Sequence, residues 1–567
     1  MVNAVLLAAL LLTEGTSKVR RSDAASTTSP ARTYVFAQTQ RVEVGGGRTR
    51  VSAETNVPTP RRGYFPLRVF VDNTAGPGQT LKLSFHPSNG MGRPISKSVE
   101  LREGERRTVV LPVPYLFRYG SLKARGPGIT EKGETHVYFN STYAPQWPVL
   151  AIGTTTEFES WVGHPPAHTG GDLNVYSIPP EDAPTELAAY SGYDTVVIPA
   201  LGFEALDEAQ RRALESYAAT GGTLVLARGG RGLAAALPLI EVDHEDYGLG
   251  RLLLGPDREP DLPSVFRASE PLVGPRASPA AWQRNSYRYN DRNSYGAFVA
   301  LLPQATAPIG RFLLIIGLFT LAIGPGSIWV ARRRGPAALL LTIPGTAFVT
   351  CSAIIGYSLI QDGFTVHAAT HGLTVLDSKQ HRALQVGLTA YYANLAPGSA
   401  RFSNLVTVVP PTEGSGEVYG PGIEWAESAM MGSDFVPSRT YREWGFVSAE
   451  PTRARVVIKR KAGAWVVQNA LGSRLSELVF MADDAVWRVG DTRDGSESAA
   501  TKDSGKFPEL DSRVRDRFSD SLRAEFTRPL KEGEFVARVE GQGFTPSGGL
   551  RLNHHDSDGL VRGEVER

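Results

Sequence analysis

Two long uncharged stretches, 312–331 and 337–360, constrain this chain more than any other feature of its sequence. At about 1.5 Å per residue, roughly 20 helical residues cover the ~30 Å hydrocarbon core of a bilayer. The first stretch holds eleven Leu, Ile, Val or Phe residues. At about −0.3 to −0.6 kcal/mol each near a helix centre, their sum favours insertion. Buried core helices are usually shorter and carry some charge. The sequence therefore predicts a transmembrane hairpin, with a first span over 309–331, an arginine-rich loop over 332–336 and a second span over 337–360.

The loop reads Arg332, Arg333, Arg334, Gly335, Pro336, while the outer flanks carry only Arg311 and Asp362. Short basic loops stay in the cytoplasm. The expected topology is two-pass in the cell (inner) membrane, with 33–308 and 364–567 both extracytoplasmic. Pro325 and Pro344 fall inside the spans and are expected to kink them so that the two helices pack together. Neither stretch contains Asp, Glu, Lys, Arg or His, so no intramembrane proton or ion relay is expected. Residues 5–12 are apolar but too short to span, and Lys18, Arg20 and Arg21 follow rather than precede them. Residues 1–32 read as a signal-like leader running into a disordered segment.

A length of 567 residues leaves room for three or four domains. The net charge of +2, from 60 basic and 58 acidic residues, gives no nucleic-acid footprint. The single cysteine, Cys351, lies in the second span. It excludes an intrachain disulfide and a thiolate nucleophile outside the membrane.

Residues 33–145 read as an Ig-like β-sandwich. Alternation over 65–71 and 80–85, the turn cluster 72–78, and a hairpin through Arg102-Glu103-Gly104-Glu105 give short strands at sandwich spacing. Residues 146–256 change character. The apolar runs 148–152 and 193–199 suit strands buried on both faces. A helix follows, with Asp207 as its N-cap and Leu206, Leu214, Tyr217 and Ala218 as its apolar stripe. Gly221-Gly222 ends it and the strand 223–227 begins, completing a βαβ unit. Residues 257–308 read as a linker with an aromatic, polar stretch at 286–295. Residues 364–545 read as a second β-rich domain, with a meander over 463–489 and a mobile loop over 491–516. Residues 546–567 read as a frayed tail.

The stretch 146–256, clearest over 193–232 and continuing in Gly248-Leu249-Gly250-Arg251-Leu252, resembles the class I glutamine amidotransferase-like, flavodoxin-type domains of many bacterial envelope proteins. That resemblance implies an elbow after the 223–227 strand carrying a nucleophilic cysteine. Here the strand leads into Arg228-Gly229-Gly230-Arg231-Gly232, with no Cys, Ser or Thr. A nucleophile needs an activatable hydroxyl or thiol beside a base. A non-catalytic relative is the expectation. The layout as a whole resembles uncharacterised bacterial envelope membrane proteins: β-sandwich, α/β flavodoxin-like domain, two-helix transmembrane hairpin, C-terminal β-rich domain.

The loop Arg228 to Gly232 follows a strand, so its backbone N–H groups and two arginines form a weak candidate anion site. It lacks the Gly-Lys-Ser/Thr of a phosphate loop, and a structural turn is the stronger reading. His367, His371 and His381 with Asp377, and His554-His555-Asp556 with Asp558, are residue types that ligate metals. His367 and His371, however, sit in a β-like pattern that holds them about 13 Å apart. Neither group is taken as a metal site, and no cofactor is expected. His164 and His168 flank Pro165-Pro166 in a loop. Asn140-Ser141-Thr142 has the glycosylation spacing but is idle in a bacterial context.

Three functions follow. The first is a non-enzymatic, membrane-anchored envelope protein whose extracytoplasmic modules bind or scaffold envelope proteins or polymers. The second is a hydrolase using Asp194, Glu204 or a histidine of the 164–168 loop. The third is an accessory subunit of an envelope transporter complex.

Overall fold

In the computed structural model the described residues are 35–36, 39–58, 60, 63–88, 92–115, 117, 119–140, 147–153, 173–227, 246–254, 301–302, 309–362, 365–409, 422–426, 428–432, 434–503, 506–515, 518 and 520–567. Half of the chain is β-strand. Among the described residues, two helical stretches are long and apolar enough to cross a membrane, Leu313–Arg334 and Pro336–Ile354.

Alternating strands build the layer nearest the N-terminus. Tyr64–Asp72 lies between Arg50–Thr55 and Arg106–Pro114 in a five-stranded sheet. Leu67, Val69, Val71, Leu111 and Val113 point from it into the core. The facing sheet carries Gln79–Pro87 and Ile95–Leu101, whose Leu81, Leu83, Phe85 and Ile95 close that core. This second sheet has eight strands, and three come from beyond the helical hairpin. Ile423–Trp425 pairs in parallel with Ile95–Leu101, and Ser428–Met431 and Ala400–Ser403 continue outward. The sandwich expected over 33–145 is therefore completed by strands from the region expected to form a separate domain over 364–545. The reason is the edge of Ile95–Leu101, which a distant segment of the chain satisfies.

The next layer is a seven-stranded sheet, parallel except for the terminal hairpin Asp246–Tyr247 with Gly250–Leu254. Its first member in the chain, Val35–Phe36, precedes the sandwich and pairs with Leu173–Ile178. The other parallel strands are Trp147–Ile152, Leu173–Ile178, Thr195–Pro199, Thr223–Ala227 and Gly250–Leu254, and they lie side by side in the order 2-1-3-4-5. The helix Glu208–Ala219 packs on this sheet. Asp207 caps it through a reciprocal capping box with Gln210. Tyr217 buries its ring against Gly222, where a Cβ would collide with it, and this accounts for the glycine after the helix.

Beyond the hairpin, a ten-stranded sheet runs from Val406–Val409 through Arg442–Pro451, Arg382–Ala393 and Val366–Asp377 to Asp558–Glu564, Glu534–Glu540 and Leu475–Ala482. Three sequence expectations fail here. Residues 546–567 are not a frayed tail. Asp558–Glu564 pairs in parallel with Val366–Asp377 and antiparallel with Glu534–Glu540, while Leu552–His554 extends the first pairing. Buried Leu560 and Val561 supply the apolar gain, and Arg562 is buried against the carbonyls of Glu525, Arg528 and Pro529 and the Glu534 carboxylate. The 463–489 region is not one meander either. Ala464–Ala470 belongs to a three-stranded sheet with Arg455–Lys461 and Glu497–Ala499, whereas Leu475–Ala482 and Ala485–Val489 join the large sheet. The 491–516 segment, expected to be a mobile loop, contributes Glu497–Ala499, Thr501–Lys502 and the short helix Ser512–Arg515.

The hairpin consists of Ile309–Leu321, a π-turn over Ala322–Gly326, Ser327–Arg334, and then Leu339–Asp362. Pro325 has no N–H and crowds the preceding turn, and the helix answers with the wider π-turn. Pro344 sits inside an unbroken helix. Arg332, Arg333 and Arg334 are not loop residues but the last turn of Ser327–Arg334, where cations complement the helix dipole. Gly335, at φ +85°, makes the reversal. Twelve of the fifteen exposed large apolar side chains among the described residues lie on this hairpin, Leu340 and Leu341 being the most exposed. An apolar surface of that extent requires an apolar covering.

Candidate functional site

A cavity of about 1270 Å³ lies between the outer face of the five-stranded sheet and the segments that follow the carboxyl ends of two parallel strands. Residues 181–186 follow Leu173–Ile178. Asp207 and Gln210 lie beyond Thr195–Pro199. In open α/β sheets ligands bind in the crevice outside the carboxyl ends of the strands. The floor is the sheet face with Arg41, Arg50, Ser52, Phe70 and Thr108. The Arg41 guanidinium stacks 3.5 Å above the Phe70 ring, which fixes a cation on the floor.

A buried charge network closes the inner end of this cleft. Arg68 meets Asp182 at 3.0 Å and Glu54 at 3.4 Å, and Lys97 meets Glu186 at 2.6 Å. Tyr176 Oη donates to Glu54. Burial, reinforced by the Glu54 carboxylate, pushes the Tyr176 phenol well above its ordinary range and keeps it a donor. Glu54, Arg68 and Lys97 come from the sandwich, while Tyr176, Asp182 and Glu186 come from the α/β layer, so the network joins the two. Two cations face three carboxylates. Glu186, which lines the cleft and is 2% exposed, has a second oxygen, Oε2, without a partner among the described residues.

The anion-site residues Arg228, Gly229, Gly230, Arg231 and Gly232 lie outside the described residues, as do His164 and His168. Asp194 and Glu204 are described but are not brought together. Asp194 precedes the strand Thr195–Pro199 and is buried, and Glu204 is exposed on the helix after its other end. Five residues of strand separate them by about 16 Å.

The two histidine groups do meet, although their spacing gives no sign of it. The parallel pairing of Val366–Asp377 with the C-terminal strands puts His367 Nδ1 2.9 Å from His555 Nε2. The same pairing sets buried His371 Nδ1 2.6 Å from Asp558, which Arg538 also grips. Burial first, and then the neighbouring His367, lowers the His555 pKa; burial and then His555 lower that of His554. Among the described residues no three of these groups converge to hold a metal ion. His381 and Asp377 lie at the far end of the strand pair, where Asp377 engages Arg382.

Sequence reasoning missed the cleft because its lining residues lie far apart in the chain. The one local signal is the excess of charge on strands, at Arg41, Glu43, Arg50, Glu54, Arg68 and Arg106. No family model matches the chain, and no curated protein matches it.

Proposed function

We propose that this chain is a non-enzymatic, membrane-anchored protein of the cell envelope, with both large regions on the extracytoplasmic side and acting as one binding or scaffold body. The observation that carries the reading is the pairing of Ile423–Trp425 with Ile95–Leu101. A sheet that takes strands from before and after the hairpin requires the hairpin to return the chain to the side it left. Two further contacts support this. The Trp425 indole N–H donates to the Pro112 carbonyl, and Tyr64 Oη donates to the Val408 carbonyl. The three arginines at the turn favour a cytoplasmic tip. The 2-1-3-4-5 strand order supports kinship with flavodoxin-type, amidotransferase-like domains, here with no Cys, Ser or Thr among residues 228–232. A domain of that kind, left with a polar cleft at its carboxyl end, is suited to binding.

Single cysteines at Glu103, Pro336 and Ser473, each in a Cys351→Ser background, test the topology with a membrane-impermeant maleimide on intact spheroplasts. Positions 103 and 473 label, and 336 labels only after lysis. Labelling of 336 alone inverts the arrangement. Labelling of only one of 103 and 473 removes the hairpin altogether. Affinity purification after cross-linking in the envelope then recovers the bound component; recovery of the chain alone counts against a scaffold.

A further inference from the structure

We infer that the cleft above the five-stranded sheet binds an extended peptide segment, which adds as a strand along 106–110 and places adjacent acidic side chains opposite Arg106 and Arg107. The inference rests on reading the extracytoplasmic body as a binding module.

The strand Arg106–Pro114 ends its sheet, and among the described residues it pairs only with Tyr64–Asp72. Its free edge is half covered. Lys97 Nζ donates to the Val110 carbonyl and Trp425 Nε1 to the Pro112 carbonyl, both at 3.0 Å. Both donors come from outside the sheet, so the peptide groups of 110 and 112 point away from the neighbouring strand. Strand backbone alternates with a period of two. The peptide groups of Arg106 and Thr108 therefore point the same way, onto the uncovered half of the edge. All five residues from 106 to 110 line the cleft. An unpaired row of this kind is what an added strand recognises through main-chain hydrogen bonds.

The side chains set the sequence preference. A strand laid along 106–110 meets Arg106 on one face and Arg107 on the other. Two positions on it meets Thr108, and then Val109 and Val110. Arg106 reaches Asp72 at 3.2 Å, but in an exposed pair of the kind that contributes little and exchanges readily. Arg107 and Arg50 have no ion-pair partner among the described residues, and Arg41 lies on Phe70. At the inner end, the unpartnered Oε2 of buried Glu186 accepts from an N–H of the occupant. The matching peptide carries two carboxylates, then a small polar residue, then two β-branched apolar residues.

The probe is a fluorescent octapeptide with two central glutamates, flanked on each side by one threonine and two valines. It is symmetric in composition and reads the edge in either strand direction. A second peptide replaces both glutamates with lysine. Both are titrated by fluorescence anisotropy against the full-length protein in detergent. The wild type binds the glutamate peptide at least tenfold more tightly than the lysine peptide. Thr108→Pro removes an N–H that faces the cleft rather than the neighbouring strand, and weakens binding at least tenfold with an unchanged unfolding midpoint. Arg106→Glu/Arg107→Glu reverses the preference, a gain for the lysine peptide that misfolding cannot produce. Absence of binding by the wild type, or equal binding by Thr108→Pro, overturns the inference. Binding of glycan fragments instead, insensitive to Thr108→Pro, overturns it in favour of side-chain recognition. The spheroplast labelling pattern is independent of all these results and stands or falls separately.

Discussion

Arg68 shows what one residue does where two layers meet. It is 8% exposed and compensates Asp182 of the α/β layer and Glu54 of the sandwich at once. A buried ion pair adds little net stability, because desolvation offsets the attraction, but removing one partner strands a charge. Arg68→Met should therefore destabilise the protein by about 3–5 kcal/mol. Arg68→Met combined with Glu54→Gln and Asp182→Asn should recover most of that loss. Urea unfolding of the two variants checks it, and equal losses would remove the charge network as the cause. Arg68 also shows how little a single position reveals in the sequence. It stands in an alternating strand as an ordinary outward-facing residue, and both its carboxylate partners come from other segments. The capping of Glu208–Ala219 by Asp207, by contrast, is complete within four residues and legible without the fold.

At the scale of elements, the short strand Leu552–His554 carries a pH response. It pairs with Val366–Asp377 through only three residues, and one of the contacts beside it is the imidazole pair His367 and His555. That hydrogen bond requires one ring to be neutral, since one nitrogen donates and the other accepts. His554 and His555 both have pKa values below their ordinary 6.5 in the fold. Below pH 6.5 the unfolded segment takes up protons that the folded one resists, so stability is full above 6.5 and falls as the pH drops through the folded values. Asp556 beside His555 opposes the shift without cancelling it. Amide exchange over 366–368 and 552–555, corrected for intrinsic rates, should accelerate between pH 7.5 and pH 5, and His555→Gln should flatten that response. An equal response in His555→Gln would place the sensitivity elsewhere. None of this pairing is visible locally. The strand over 65–71 and the βαβ unit over 193–227 were legible because alternation, a cap and a double glycine fall within short windows. The C-terminal segment is rich in Gly and Asp and reads as a tail, and its partner lies almost two hundred residues away.

At the scale of the whole molecule, the hairpin and the folded body have separate jobs. The apolar side chains of the hairpin face outward, and the cores of the sheets close without them. Replacing 309–362 with a Gly/Ser linker of about 20 residues, which spans roughly 25 Å, should give a body that stays soluble without detergent and unfolds cooperatively. Size-exclusion chromatography and thermal unfolding check this; aggregation would mean that the helices also serve the core. The sequence marks the hairpin plainly because length and hydropathy are local quantities. It hides the joining of the two flanks, because Ile423–Trp425 is a three-residue strand whose partner lies more than three hundred positions earlier. That pairing also orders events in time. During synthesis the edge of Ile95–Leu101 is made long before the segment that covers it, and the whole helical hairpin is made in between. Until that segment is made, the half-built sandwich has one open flank. The protein's own biogenesis therefore contains an interval of vulnerability, whose length is set by the speed of translation rather than by the stability of the finished fold.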